Sequence, residues 1–105
     1  MYTITRKVTR PNISLEFRNM LHESVSLETR QHWVDNYKTT NKCLIVNTEL
    51  SSNELEMITT MFWDSKESWD QYQADPVLIA GLFNPIHAYQ DENGFTREFV
   101  SDEEI

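Results

Sequence analysis

The sequence predicts an α+β domain, one antiparallel sheet with helices packed on a single face. Three observations carry that prediction. Strand-like alternation and helix-like spacing follow one another in the order β-α-β-β-α-β. The stretch Glu54 to Pro76 holds a strand, a capped turn, a short helix and a proline stop. Two glycines in 105 residues are too few for the many tight turns of an all-β protein of this length.

The first strand is Tyr2 to Thr9, with Tyr2, Ile4 and Val8 on one side and Thr3, Thr5, Lys7 and Thr9 on the other. Pro11 and Asn12 end it. In residues 12–25, Ile13, Leu15 and Phe17 recur with a period of two, which suggests a short extended or irregular segment; a helix from Ser14 to Leu21 is the alternative. Ser24 or Ser26 caps a helix over Leu27 to Thr39, where Leu27, Arg30, Val34 and Tyr37 share a stripe beside Trp33. Asn41-Lys42 is a turn, Cys43 to Leu50 the second strand, and Ser51 to Asn53 the hairpin into the third, Leu55 to Trp63. One side of that strand carries Leu55, Met57, Thr59, Met61 and Trp63, while Ile58 and Phe62 make the other side apolar as well. A strand apolar on both faces is covered on both. Helices cover one face, and a second subunit is expected over the other.

Asp64 follows as a helix cap, with Glu67 in the first turn suiting the positive helix end. Trp69 and Tyr72, three apart, share a helix face. Asp75-Pro76 closes this helix and opens another, with Asp75 as cap and Pro76 at the first helical position. Leu78, Ile79, Leu82, Phe83 and Ile86 keep helical spacing across Pro85, which lacks an N–H and crowds the carbonyl of Gly81. Either the helix is interrupted there or Asn84 caps a fresh one; both bend the chain at the same place. Asp91 to Gly94 is a turn, Phe95 to Ser101 the last strand, and residues 102–105 an acidic tail expected to fray. This order is that of the ferredoxin-like sandwich, with residues 1–105 forming a single domain.

Composition narrows the function classes. Three Trp, four Tyr and five Phe supply enough large buried area for a core without disulfides or metals. Cys43 is the single cysteine, so no internal disulfide forms, which fits a reducing compartment. Early basic residues leave no signal-peptide apolar core, and the longest apolar run, Val77 to Phe83, is too short to cross a bilayer. A soluble cytoplasmic protein without a membrane partner is expected. The net charge of −8 is uneven, since Arg6, Lys7, Arg10 and Arg18 against Glu16 give residues 1–18 a local +3. Four cations on an acidic domain are too sparse to neutralise a nucleic-acid backbone. They are a solvated strand and loop, or alternatively an anion-binding groove. His22 and His32 are ten apart, no clustered Cys/His set exists, and glycine-rich phosphate loops are absent, so neither a metal nor a phosphate-cradling site is expected.

One resemblance adds to this reading. A strand ending Met61-Phe62-Trp63, then Asp64-Ser65-Lys66-Glu67-Ser68-Trp69, Tyr72, Ala74-Asp75-Pro76 and an apolar helix resembles the dimeric α/β-barrel superfamily. More narrowly, it is similar to the antibiotic-biosynthesis-monooxygenase-like members. The resemblance implies a homodimer in which two four-stranded sheets face each other, with a pocket between helices and sheet in each subunit. It also implies a small-molecule enzyme, such as one that oxygenates an aromatic or quinol-like substrate without a cofactor. The haem-degrading branch pairs an Asn on the first strand with a Trp and an axial His. Here Tyr2 to Thr9 has no Asn, and the ligand position falls near Gly81, so haem degradation is disfavoured.

His87 is the best single catalytic candidate. If Asn84 caps a helix, His87 lies in its first turn, where the positive helix end keeps a neutral base available. Asn84 and Tyr89 are expected to stand near it as substrate-pocket residues. Trp63, Trp69, Tyr72 and Trp33 are candidate walls for a flat aromatic ligand. The plainer readings are a packed histidine and an ordinary aromatic core. Oxygenation of an electron-rich phenol asks only for a dry pocket, orientation and a base, and so leaves little motif. Cys43 reads as a packed thiol. The competing function is a non-catalytic dimeric module that binds a ligand or a protein.

Overall fold

The computed structural model describes residues 1–105. Strands β1 (Tyr2–Thr9), β2 (Cys43–Leu50), β3 (Glu56–Trp63) and β4 (Thr96–Glu104) form one antiparallel sheet in the order β2-β3-β1-β4. Three helical segments cover one face. The first is α1 (Leu27–Trp33), which widens into a π-type turn over Val34–Lys38. The second is α2 (Lys66–Gln73). The third joins α3 (Pro76–Leu78), a π-type turn over Ile79–Phe83 and α4 (Asn84–Glu92) into one rod. This is the ferredoxin-like α+β arrangement that the element order predicts.

Alternation along the strands decides what faces the helices. Tyr2 and Ile4 of β1 pair with Trp63 and Met61 of β3, and Cys43 of β2 lies beside Trp63. Against them pack Tyr37, Trp69, Tyr72, Leu78 and Leu82. Trp63 is fully buried, with the Tyr72 ring 5.0 Å away, Trp69 5.7 Å and Tyr37 6.0 Å, mostly tilted or edge-to-face. Each such ring pair adds about 0.5–1.5 kcal/mol to simple area burial. Burial pushes the Cys43 thiol up to about 11, as suits a packing residue rather than a nucleophile.

Several local expectations are corrected. Ser65, not Asp64, caps α2: its extended backbone lets the hydroxyl accept from Ser68 N at 3.2 Å. Ser26 caps α1. At Pro85 the helix neither breaks nor restarts. Asn84 has helical φ −61° and ψ −47°, and its N–H reaches back to Ile79 O across the wide turn, which makes room for the proline ring. The acidic tail is not frayed, because Glu103 and Glu104 pair with Thr3 and Tyr2, and Asp102 accepts from the Tyr2 hydroxyl at 2.8 Å.

Residues 12–25 are irregular, and arginines fix them. Arg10 donates to Glu54 O and Leu15 O, and Arg30 donates to Met20 O and Leu21 O. The segment thereby closes one end of the space between helices and sheet. The opposite face of the sheet has no covering layer, and the molecule is a slab of 37 × 31 × 18 Å.

Candidate functional site

A cavity of about 530 Å³ lies between the helical layer and the sheet, within the usual range for small-molecule sites. Its floor is the helix-facing side of the strands, including Arg6 and Val8 of β1 and Met57, Thr59 and Met61 of β3. Trp69 and Tyr72 of α2 and Phe83, Ile86 and His87 of the long rod form the walls. Arg18 to Leu21 of the irregular segment complete the rim. A second depression, lined by Leu27, Glu28 and Val34, lies along α1 and gathers none of these residues.

Of the residues singled out from sequence, His87, Trp33, Trp69 and Tyr72 line this cavity. Trp63 does not; it is sealed in the core, with no partner for its indole N–H. Asn84 is exposed, and Tyr89 points to the far end of the sheet, where it packs on Phe95 and donates to Glu16 O at 2.8 Å. The cause is helix continuity. Without a fresh cap at Asn84, the rod carries His87 inward and turns its neighbours outward.

His22 is hydrogen-bonded to Ser24 and Glu16, and His32 to Asp75. His87 has no such partner. Its pKa lies below the ordinary histidine value, first through burial and then through the positive charges of Arg97 and Arg6, with Asp91 opposing. Burial and the two arginines, not the positive helix end expected from sequence, therefore disfavour the imidazolium form. The neutral imidazole can accept a proton from a ligand in the cavity.

Sequence reasoning missed Gln90 and Arg97, and it named Arg6 only as one of four early cations that form either a solvated strand and loop or an anion-binding groove. Gln90 is buried, and its side-chain oxygen accepts from Arg97 at 3.1 Å. Arg97 also reaches Asp91 at 2.9 Å. For Arg6 a signal existed: it occupies the side of β1 otherwise given to Tyr2, Ile4 and Val8, where a charge is out of pattern. No three His, Cys, Asp or Glu side chains converge as a metal site, and no helix is long and apolar enough to cross a membrane.

Two solved structures share this fold over nearly their whole length. A candidate antibiotic biosynthesis monooxygenase from Deinococcus radiodurans superposes with a TM-score of 0.56 at 14% identity, covering 100% of this chain and 92% of its own. A second antibiotic biosynthesis monooxygenase gives 0.53 at 13% identity, covering 96% and 97%. At such identities the likeness is one of fold. No family model matches the sequence, and no curated protein matches it.

Proposed function

We propose that the chain is a small-molecule enzyme of the antibiotic-biosynthesis-monooxygenase-like type, acting as a cytoplasmic homodimer. Its reaction is the cofactor-independent oxygenation of an aromatic or quinol-like substrate. The observation that carries the proposal is a neutral, unpartnered His87 facing a cavity walled by Trp69 and Tyr72. His87 takes the phenolic proton, and the resulting anion is electron-rich enough to reduce dioxygen. A phenol with an open para carbon plus dioxygen gives a para-quinone plus water. One C–O bond forms at the para carbon as its C–H bond and the phenolic O–H bond break. The O–O bond breaks, its second oxygen leaves as water with those two hydrogens, and the substrate supplies every electron. The flat rings of Trp69 and Tyr72 hold the substrate plane, and the surrounding apolar groups exclude bulk water.

Oxygen uptake and quinone absorbance with a panel of polycyclic phenols test this reading. His87→Ala should lose turnover by roughly a hundredfold or more, the usual contribution of a general base, while keeping its melting temperature. Unchanged turnover in His87→Ala would show that the base lies elsewhere. Absence of uptake with every phenol would favour the non-catalytic binding module. The observation on that side is that no second residue orients the His87 ring, whereas His32 is held by Asp75 at 2.7 Å.

A further inference from the structure

The cavity gathers positive charge in an acidic protein. The chain has 17 Asp and Glu against 9 Lys and Arg. Yet Arg6, Arg18, Lys38 and Arg97 border the cavity and no carboxylate does, while Lys7, also in its lining, turns its ammonium to the other face of the sheet. Most of these charges are already compensated. The Lys7 ammonium meets Glu56 at 3.0 Å and Glu98 at 3.2 Å. Arg18 pairs with Glu16 at 3.1 Å and lies 3.7 Å over the Tyr89 ring. Arg97 is held by Asp91 and Gln90, and Lys38 is exposed at the rim.

Arg6 differs from all of them. It stands in the middle of β1, opposite Thr59 on one neighbouring strand and Phe99 on the other. It is half-buried and takes part in none of the molecule's ion pairs. A guanidinium partly withdrawn from water without a counter-ion is unfavourable unless something else supplies the negative charge. Arg97 is its diagonal neighbour across β1 and β4, on the same face of the sheet. Both arginines bear on His87, so their positive field reaches the cavity wall where that ring stands.

Building on the reading of this cavity as the substrate site, we infer that it takes an aromatic carboxylate whose charged end pairs with Arg6. The rings of the ligand lie against Trp69, Tyr72 and Phe83. A carboxylate is favoured over a phenolate because its two coplanar oxygens match the guanidinium fork, whereas a phenolate offers one. The substrate of the proposed oxygenation is then a phenol that also bears an acid group, with the acid at Arg6 and the phenol at His87.

The test is calorimetric titration of the intact protein with 2-naphthoate and 2-naphthamide, which share their rings and differ in charge. Naphthoate should bind roughly tenfold or more tightly than naphthamide, the scale of a hydrogen-bonded charged group. Arg6→Gln should bring naphthoate down to the naphthamide level and leave naphthamide unchanged. Equal affinities in the wild type, or a preference that survives Arg6→Gln, overturn the assignment while leaving an aromatic pocket in place. Binding of neither probe overturns both the assignment and the cavity reading. Should Arg6→Gln melt early, Arg6→Lys decides the matter, because it keeps the charge without the fork. Loss of most of the preference supports the pairing, and an undiminished preference overturns it.

Discussion

The two carboxylate oxygens of Asp75 act on different elements. Oδ1 accepts from Val77 N at 3.0 Å and Leu78 N at 3.4 Å, which starts the long rod. Oδ2 accepts from the Tyr37 hydroxyl at 2.6 Å and meets His32 Nε2 at 2.7 Å, which ties α1 to that start. Burial pushes the Asp75 pKa up, but the hydrogen bonds from Tyr37, His32 and Leu78 outweigh it and hold the group below the ordinary carboxylate range. The native state therefore favours the charged form. Its stabilising effect is complete above the unfolded carboxylate's value of about 3.9, and is lost as pH falls through the native value. Asp75→Asn should cost about 1–3 kcal/mol in urea melts at neutral pH, from loss of the cap and the charged hydrogen bonds. That deficit should shrink in acid, where wild-type Asp75 is itself protonated; an equal deficit at neutral and acid pH would count against the network. The cap was legible in Asp75-Pro76, because capping is local. Tyr37 and His32 were not, because they lie 38 and 43 positions away and nothing in their own neighbourhoods marks the contact.

At the scale of elements, the long rod is where sequence and structure part most clearly. Pro85 looked like a break because proline removes one helical hydrogen bond, yet the widened turn before it absorbs the ring and keeps the axis running. A single such turn rotates everything after it, so spacing alone misplaced Asn84 and Tyr89 while the same rotation left His87 on the cavity. The other lost expectation, the frayed tail, failed for a related reason. Acidic composition describes a segment's own solubility and says nothing of a partner strand at the opposite end of the chain. Trp69 and Tyr72 were readable because period and cap fall inside one short helix. Gly81 gives this rod its close crossing with α1: a methyl group there would run into the side chain of buried Thr29. Gly81→Ala should destabilise the protein by about 1–3 kcal/mol through overpacking, although alanine alone favours a helix by roughly 1 kcal/mol. In a Thr29→Ala background the sign should reverse. A Gly81→Ala protein that is more stable than wild type would mean that the helices do not cross this closely.

For the whole molecule, the fold was legible because each strand and helix carries its own periodicity and the ferredoxin-like order follows from their succession. On the bare side of the sheet, what was legible is an excess of apolar residues on the side of β3 that the helices do not cover. Phe62 stands there opposite Ile45 of β2, which is 53% exposed, while Ile58 lies between Glu49 and Lys7, next to the charged patch that Lys7 forms with Glu56 and Glu98 on the same face. Only 14 of 105 residues are buried within one chain, fewer than two fully covered faces would give. A second copy set face to face would cover the apolar end and leave the cavity, on the other side of the sheet, undisturbed. Sedimentation equilibrium at micromolar concentration should therefore return twice the 12.5 kDa chain mass. Phe62→Lys should shift that equilibrium towards the monomer, since a buried unpaired ammonium is costly. Because Phe62 points away from the cavity, the same variant should still bind 2-naphthoate and prefer it over 2-naphthamide. A wild-type mass of one chain would remove the dimer from the proposal, and loss of ligand binding in a folded Phe62→Lys monomer would show instead that the two faces of the sheet are coupled.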